Sequence, residues 1–202
     1  SLICVKMFYK STLINFSIDS KKPRIYRTEP DRNSYINGSE FFIRFSEDNV
    51  KNVSLFFGDE IFLMNCSSGK RVECKKSLNI SKYNGEFVDY YFVVNDFINS
   101  KSSRLTNVFV DTSSPVMEVN YPVNNSALLR KVFINISVDE EVTLMFKDNE
   151  ERFRTLCRRC SGYGLTRDRY KSFNKGVHKV LFRAVDEAGN SDDELVEFSV
   201  SY

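Results

Sequence analysis

The sequence predicts an all-β protein built from two tandem immunoglobulin-like or fibronectin-III-like β-sandwiches. Three observations carry this. Apolar residues alternate with period two along most of the chain, the signature of strands with one buried face. Strand and turn motifs recur at an offset near 91 positions, which marks tandem copies of one unit. The aromatic content, 18 Phe and 10 Tyr with no Trp, suits strands better than helices.

Residues 1–20 read as a hairpin, with Leu2–Phe8 as one strand and Leu13–Ile18 as the other. They match the end of a copy, so they are expected to be the closing hairpin of a preceding sandwich, or a strand donated to a neighbouring subunit. A lone two-stranded hairpin is marginal in water and must pack on something. The chain begins with Ser, which suggests a fragment of a longer array or a processed form.

The first sandwich is expected over 21–112 and the second over 113–202. The segment Asp19-Ser-Lys-Lys-Pro23 recurs as Asp111-Thr-Ser-Ser-Pro115, and Pro30 recurs as Pro122. Phe41–Ser46 recurs as Val132–Ser137, and Val53–Phe57 as Val142–Phe146. The last element of each copy is the clearest. In Val177–Ser201, Val180, Phe182 and Ala184 alternate with polar or mixed neighbours, then a turn Asp186-Glu-Ala-Gly189-Asn190 leads into Val196, Phe198 and Val200. Gly and Asn tolerate the positive φ of such a turn. The first copy repeats the pattern with Val88, Tyr90, Phe92 and Val94, then Val108 and Val110. About seven short strands in some 90 residues suit an immunoglobulin-like sandwich. The absence of Trp and of a long-range Cys pair excludes an antibody-like domain.

The cysteines narrow the compartment. Cys66 and Cys74 fall in the middle of the first copy, Cys157 and Cys160 at the same place in the second; Cys66 and Cys157 are 91 apart. A local disulfide in each copy is expected, and with it an oxidising environment. The rival for Cys157-Arg-Arg-Cys160 is a metal or redox motif. Zinc needs four ligands, and the remaining Cys pair belongs to the other copy. Cys4 is left without an assigned partner. Seven Asn-x-Ser triplets, at Asn15, Asn37, Asn52, Asn65, Asn79, Asn124 and Asn135, suggest surface glycosylation.

Catalysis finds little support. The one histidine, His178, sits at a strand start, and the acids cluster in turns and on outward strand positions. Calcium is a better prospect for chemistry. Asp186 and Asn190 lie in a crowded polar turn, with Asp111 at the joint between copies, and oxygen ligands could converge there. The plainer reading is that Asp and Asn form turns well. A third feature is a basic stretch with Arg158, Arg159, Arg167 and Arg169 around Tyr163. Basic and aromatic groups together can grip an acidic polysaccharide or a protein, or simply form a solvated loop diluted by Glu150, Glu151 and Asp168. The net charge of +2 gives no reason to expect a nucleic-acid partner, and no apolar run is long enough for a membrane helix.

The closing element Gly176–Asn190, with the linkers at Asp19–Pro23 and Asp111–Pro115, resembles the tandem immunoglobulin-like repeats of prokaryotic surface proteins and adhesins. Leu156–Cys160 is similar to the archaeal versions. The first copy departs from the pattern, with Phe97-Ile98 where Ala188-Gly189 would be expected. The resemblance implies an extracellular, multi-domain, non-catalytic segment of a stalk, filament or adhesin, partnered by neighbouring immunoglobulin-like domains. It also implies calcium at Asp111, Asp186 and Asp19. The alternatives are a carbohydrate- or protein-binding module using residues 152–171, or an accessory domain of a large secreted hydrolase.

Overall fold

Alternating apolar residues bury one face of each strand, and two such faces closing on one another make a sandwich core. The computed structural model describes residues 21–38 and 40–201. The hairpin or donated strand expected over 1–20, with Cys4, Asn15 and Asp19, lies outside the described residues.

The first module contains β1 (Arg24–Glu29), β2 (Tyr35–Ile36), β3 (Glu40–Glu47), β4 (Asn52–Phe57), β5 (Glu60–Met64), β6 (Gly69–Ser77), β7 (Phe87–Asn95), β8 (Ser100–Ser102) and β9 (Thr106–Val110). One layer is ordered β1-β3-β6 and the other β2-β9-β7-β4-β5, with β8 beside β7. The residues expected to point inward do so: Val88, Tyr90, Phe92, Val94, Val108 and Val110 are buried. Phe41 sits at the centre, its ring 5.2 Å from those of Phe57 and Tyr90 in edge-on contacts. The Tyr90 hydroxyl donates to the Pro30 carbonyl, which gives this buried polar tip a partner. Burial pushes the phenol up to about 12.

The second module contains β10 (Met117–Tyr121), β11 (Ser126–Leu128), β12 (Lys131–Phe133), β13 (Asn135–Asp148), β14 (Arg154–Tyr163), β15 (Tyr170–Ser172), β16 (Gly176–Val185) and β17 (Ser191–Val200). The main sheet is β10-β13-β16-β17-β11 with β14 on β13, and β12 pairs β15. Val180, Phe182, Ala184, Val196, Phe198 and Val200 form its core with Ile134, Ile136 and Leu144. Each buried Val, Leu, Ile or Phe among these contributes about 1.5–3 kcal/mol by leaving water.

The repeat is varied where it matters for function. β3 and β4 are separate strands in the first module. In the second, β13 runs on through Asp139-Glu140-Glu141, pairing β10 before that point and β16 after it. β14 pairs along β13 with a register break between Ser137 and Val142. The long strand thus carries three acids through a bend instead of ending at them.

Candidate functional site

Three places gather chemistry: the joint between modules, the Cys157–Arg169 region, and the outer face of the first module.

The joint is built from the hairpin turn between β16 and β17. The Asp186 Oδ1 accepts from the Asn190 backbone N–H at 2.8 Å, and Oδ2 accepts from Asn190 Nδ2 at 2.7 Å. That same amide reaches the Asp111 carbonyl at 2.9 Å and so ties the turn to the linker. The linker is held from the first module too. Asn84 accepts from the Thr112 N–H and donates to Ser113 Oγ. On the far side Asp139 Oδ1 accepts from the Val116 N–H at 2.8 Å. Few degrees of freedom remain in a linker bonded at both ends.

Around this lock the carboxylates of Asp111, Glu140 and Asp186 converge, each offering an oxygen within 4.8 Å of the others. Asp186 is buried and the other two half-buried. Burial, then the charges of Asp186, Asp111 and Asp139, hold the Glu140 carboxyl above its ordinary range. Three hard oxygen donors under mutual repulsion fit a hard divalent cation such as calcium. Asn190, expected as a ligand, enters through its N–H groups, which bond the Asp186 carboxylate and the Asp111 backbone carbonyl. Sequence reading missed Glu140, and the run of three acids across a strand alternation was the available signal.

The Cys157–Cys160 and Cys66–Cys74 disulfides both form, one local bridge in each module as expected. Cys157–Cys160 closes a bulge inside β14: Leu144 pairs with Cys157 and Val142 with Cys160, so three residue steps face two. Arg158 and Arg159 are pushed out at its tip, and Arg159 takes a φ of +51°. β14 then stops at Tyr163 and the chain returns as β15 at Tyr170. The excursion between them is pinned at both ends. Gly164 approaches Ile134 so closely that a Cβ would lie 2.0 Å from the Ile134 carbonyl oxygen. The Arg169 carbonyl accepts from the Ile134 N–H at 2.8 Å. A groove of about 780 Å³ opens between bulge and excursion, lined by Glu141, Leu156, Arg159, Tyr163, Arg167 and Arg169. Arg158 is exposed beside it, off the lining.

His178 is structural. Nδ1 bonds Asp148 Oδ2 at 2.7 Å and Nε2 bonds the Asn174 carbonyl at 2.8 Å, while the ring stacks on Phe198. Both nitrogens are engaged inside the core, which leaves neither for a substrate. Among the triplets, Asn65, Asn79 and Asn124 are exposed. Asn52 is half-buried with its Oδ1 accepting from Asn95. Asn135 is half-buried and its Nδ2 donates to Gly164 O, a bond that a glycan would displace. Asn37 is half-buried at the joint: a Cβ on Gly189 would stand 3.6 Å from its Nδ2.

The outer face of the first module's larger sheet escaped the sequence reading. Tyr35, Phe109 and Phe87 form a row across β2, β9 and β7, with ring centroids 5.1 and 4.9 Å apart. Phe56 stacks on Tyr91 at 4.6 Å, and Ile61 and Leu63 extend the face. Phe87, Ile61 and Leu63 are each more than 60% exposed.

No family model matches this chain, and no curated protein matches it. Solved structures do. Fibronectin(III)-like modules of CbhA from Clostridium thermocellum align over 89% of this chain and 94% of theirs, at 16% identity and a TM-score of 0.54. A chimeric titin Z1Z2 tandem aligns over 89% of this chain and all of its own, at 11% identity and a TM-score of 0.31. Tandem Ig repeats of Dlar align over 89% and 98%, at 8% identity and a TM-score of 0.29. The first likeness shows the fold: fibronectin-III-like β-sandwiches. At these identities it carries nothing about ligand or location.

Proposed function

We propose that this chain is a non-catalytic structural segment of an extracellular surface protein, a stalk, filament or adhesin piece that sets spacing and direction. The archaeal and glycoprotein character rests on the resemblance at Leu156–Cys160 and on the exposed triplets at Asn65, Asn79 and Asn124. Two disulfides of the kind kept in oxidising compartments support the location. No helix among the described residues is long and apolar enough to cross a membrane.

The observation that carries the reading is the linker at Asp111–Val116, bonded to both modules through Asn84, Asp139 and Asn190. A joint meant to swivel would leave its linker to solvent. In this proposal calcium completes the brace, held by Asp111, Glu140 and Asp186, and neutralises carboxylates contributed by both modules. Its neighbours are further immunoglobulin-like modules of the same or adjacent chains.

Small-angle scattering of the full chain with calcium and with chelator tests this. The expected result is an extended particle whose maximum dimension is fixed in calcium and whose joint loosens on chelation. Asp111→Asn with Asp186→Asn should remove the calcium response. A particle whose modules sample many angles in both buffers would overturn the rigid-spacer reading, and identical rigid profiles in both would remove calcium from it.

A further inference from the structure

We propose that the groove between the Cys157–Cys160 bulge and the 164–169 excursion binds the acidic groups of an anionic polysaccharide. This goes beyond a spacing role and does not depend on calcium.

The first argument is charge left unused. Several exposed cations of this module are matched: Arg183 is bonded to Asp193 through two nitrogens at 2.6 Å, Arg154 meets Glu151 at 2.5 Å and Lys179 meets Glu197 at 2.7 Å. Arg159 and Arg167, both exposed, have no ion pair among the described residues, and Arg169 has only the Tyr163 ring, 5.9 Å from its guanidinium carbon. Three guanidinium groups therefore line one groove against the single acid Glu141. Each can take a carboxylate or sulfate through two parallel N–H groups.

The second argument is rigidity. Arg159 stands on a disulfide-closed bulge, and Arg167 and Arg169 stand on an excursion whose two ends meet at Ile134. Asn135 Nδ2 adds a bond to Gly164 O at 3.2 Å. A surface loop kept only for solubility has no need of such anchoring; a receptor gains from it because less freedom is lost on binding. The half-buried Tyr163 and Leu156 give the floor apolar surface for the C–H face of a sugar.

The third argument fixes the extent. Arg159 and Glu141 also line a smaller hollow of about 150 Å³, whose other charged residues are Asp186 and Glu187. Arg159 is the last cation on that side, so the acids Asp186 and Glu187 repel an anionic ligand from the joint.

Affinity electrophoresis of the full chain in chelator, through gels containing polygalacturonate, dextran sulfate or neutral dextran, tests the proposal. Retention by either anionic polymer and not by dextran is expected, and the stronger of the two tells whether carboxylate or sulfate is preferred. Arg159→Gln, Arg167→Gln and Arg169→Gln combined should weaken binding about tenfold or more. Lys51→Gln, Lys101→Gln and Arg104→Gln combined remove the same charge from exposed sites in the other module and should leave binding within about twofold. Unchanged melting temperatures certify both variants. No retention by either polymer, or equal weakening by both variants, overturns the proposal. So does a single-stranded DNA oligonucleotide that binds as tightly and is lost with the arginines, since that makes the groove a site for another class of polymer.

Discussion

The two modules carry a similar turn, after β7 in the first and after β16 in the second, and use it differently. In the second, Asp186 accepts from Asn190, and Asn190 reaches the Asp111 carbonyl of the incoming chain. In the first, Asp96 accepts from the N–H groups of Asn99 and Ile98, and Asn99 reaches the Lys21 carbonyl at 3.4 Å. The hydrogen-bond lock is common property of the repeat. What differs is the charge set around it. Lys21 stands in the role of Asp111, and the first turn presents Phe97 and Ile98, each at least 70% exposed, where the second has Ala188 and Gly189. The lock is therefore shared, and a converging set of carboxylates is added only where Asp111 and Glu140 join it. The outer sheet faces diverge in the same manner: rings and aliphatic groups on the first module, and the pairs Arg183–Asp193 and Lys179–Glu197 on the second.

The most severe way to separate the modules is through their cores. Phe92→Ala and Phe182→Ala each empty a fully buried site and should cost about 3–5 kcal/mol. Because the two cores are distinct, calorimetry should show a different transition falling in each variant; one joint transition falling in both would mean that the modules unfold as a unit. Next come the disulfides. Loop-closure entropy gives about 2.5 kcal/mol for Cys66–Cys74 and about 2 kcal/mol for Cys157–Cys160. Replacing each pair with Ala and measuring urea midpoints should preserve that order. Asn190→Ala and Asn99→Ala compare the locks directly. Each should cost about 1–2 kcal/mol, since each leaves a carboxylate with fewer donors. Only Asn190→Ala should also loosen the joint in scattering.

Glu140→Gln is subtler and has a definite sign. Its folded carboxyl is held above the ordinary value, so its contribution is favourable at acid pH, below the unfolded value of 4.5, and is lost as pH rises through the raised folded value. In chelator at neutral pH the variant should therefore melt about 1–3 °C higher than the parent, with the gap closing toward pH 4.5. In calcium the order should reverse. A variant that melts lower in chelator would show that Glu140 is not under repulsion. The smallest effect is expected on the exposed face, where Ile61→Ser or Leu63→Ser should change stability by no more than about 0.5 kcal/mol.

The fold was largely legible because its signal is local. In β17 every second residue of the second half is apolar and the alternates mostly are not, and in β7 and β16 the recurrence of the same alternation at the repeat offset marked the buried face. Cys66, Cys74, Cys157 and Cys160 were legible for a similar reason, since a spacing of a few residues along one strand region leaves few choices of partner. The joint was only half legible. Asp111 and Asp186 sit in linker and turn, where acids draw notice, but Glu140 reaches them from inside a strand, where it passes from pairing β10 to pairing β16. The grouping of Arg159 with Arg169 depends on Gly164 folding against Ile134, a contact with no sequence pattern of its own. Phe87, Tyr91 and Phe109 hid for the opposite reason: alternation assigned the buried face of their strands, and an apolar residue on the other face gives no local sign that it gathers with others across the sheet.

One feature has a mechanical side. In each module a short strand near the entry of the chain lies parallel to the strand by which it leaves: β2 on β9, Tyr35 to Phe109 and Ile36 to Val110, and β11 on β17, Ser126 to Phe198 through Leu128 to Val200. Tension applied along the array pulls the members of such a pair in opposite directions along their length. The bonds between them, including Asp111 N–H to Ile36 O and Ser201 N–H to Leu128 O, are then loaded in shear and share the force instead of parting one after another. Each module is thus clasped at the place where a taut chain would tug on it.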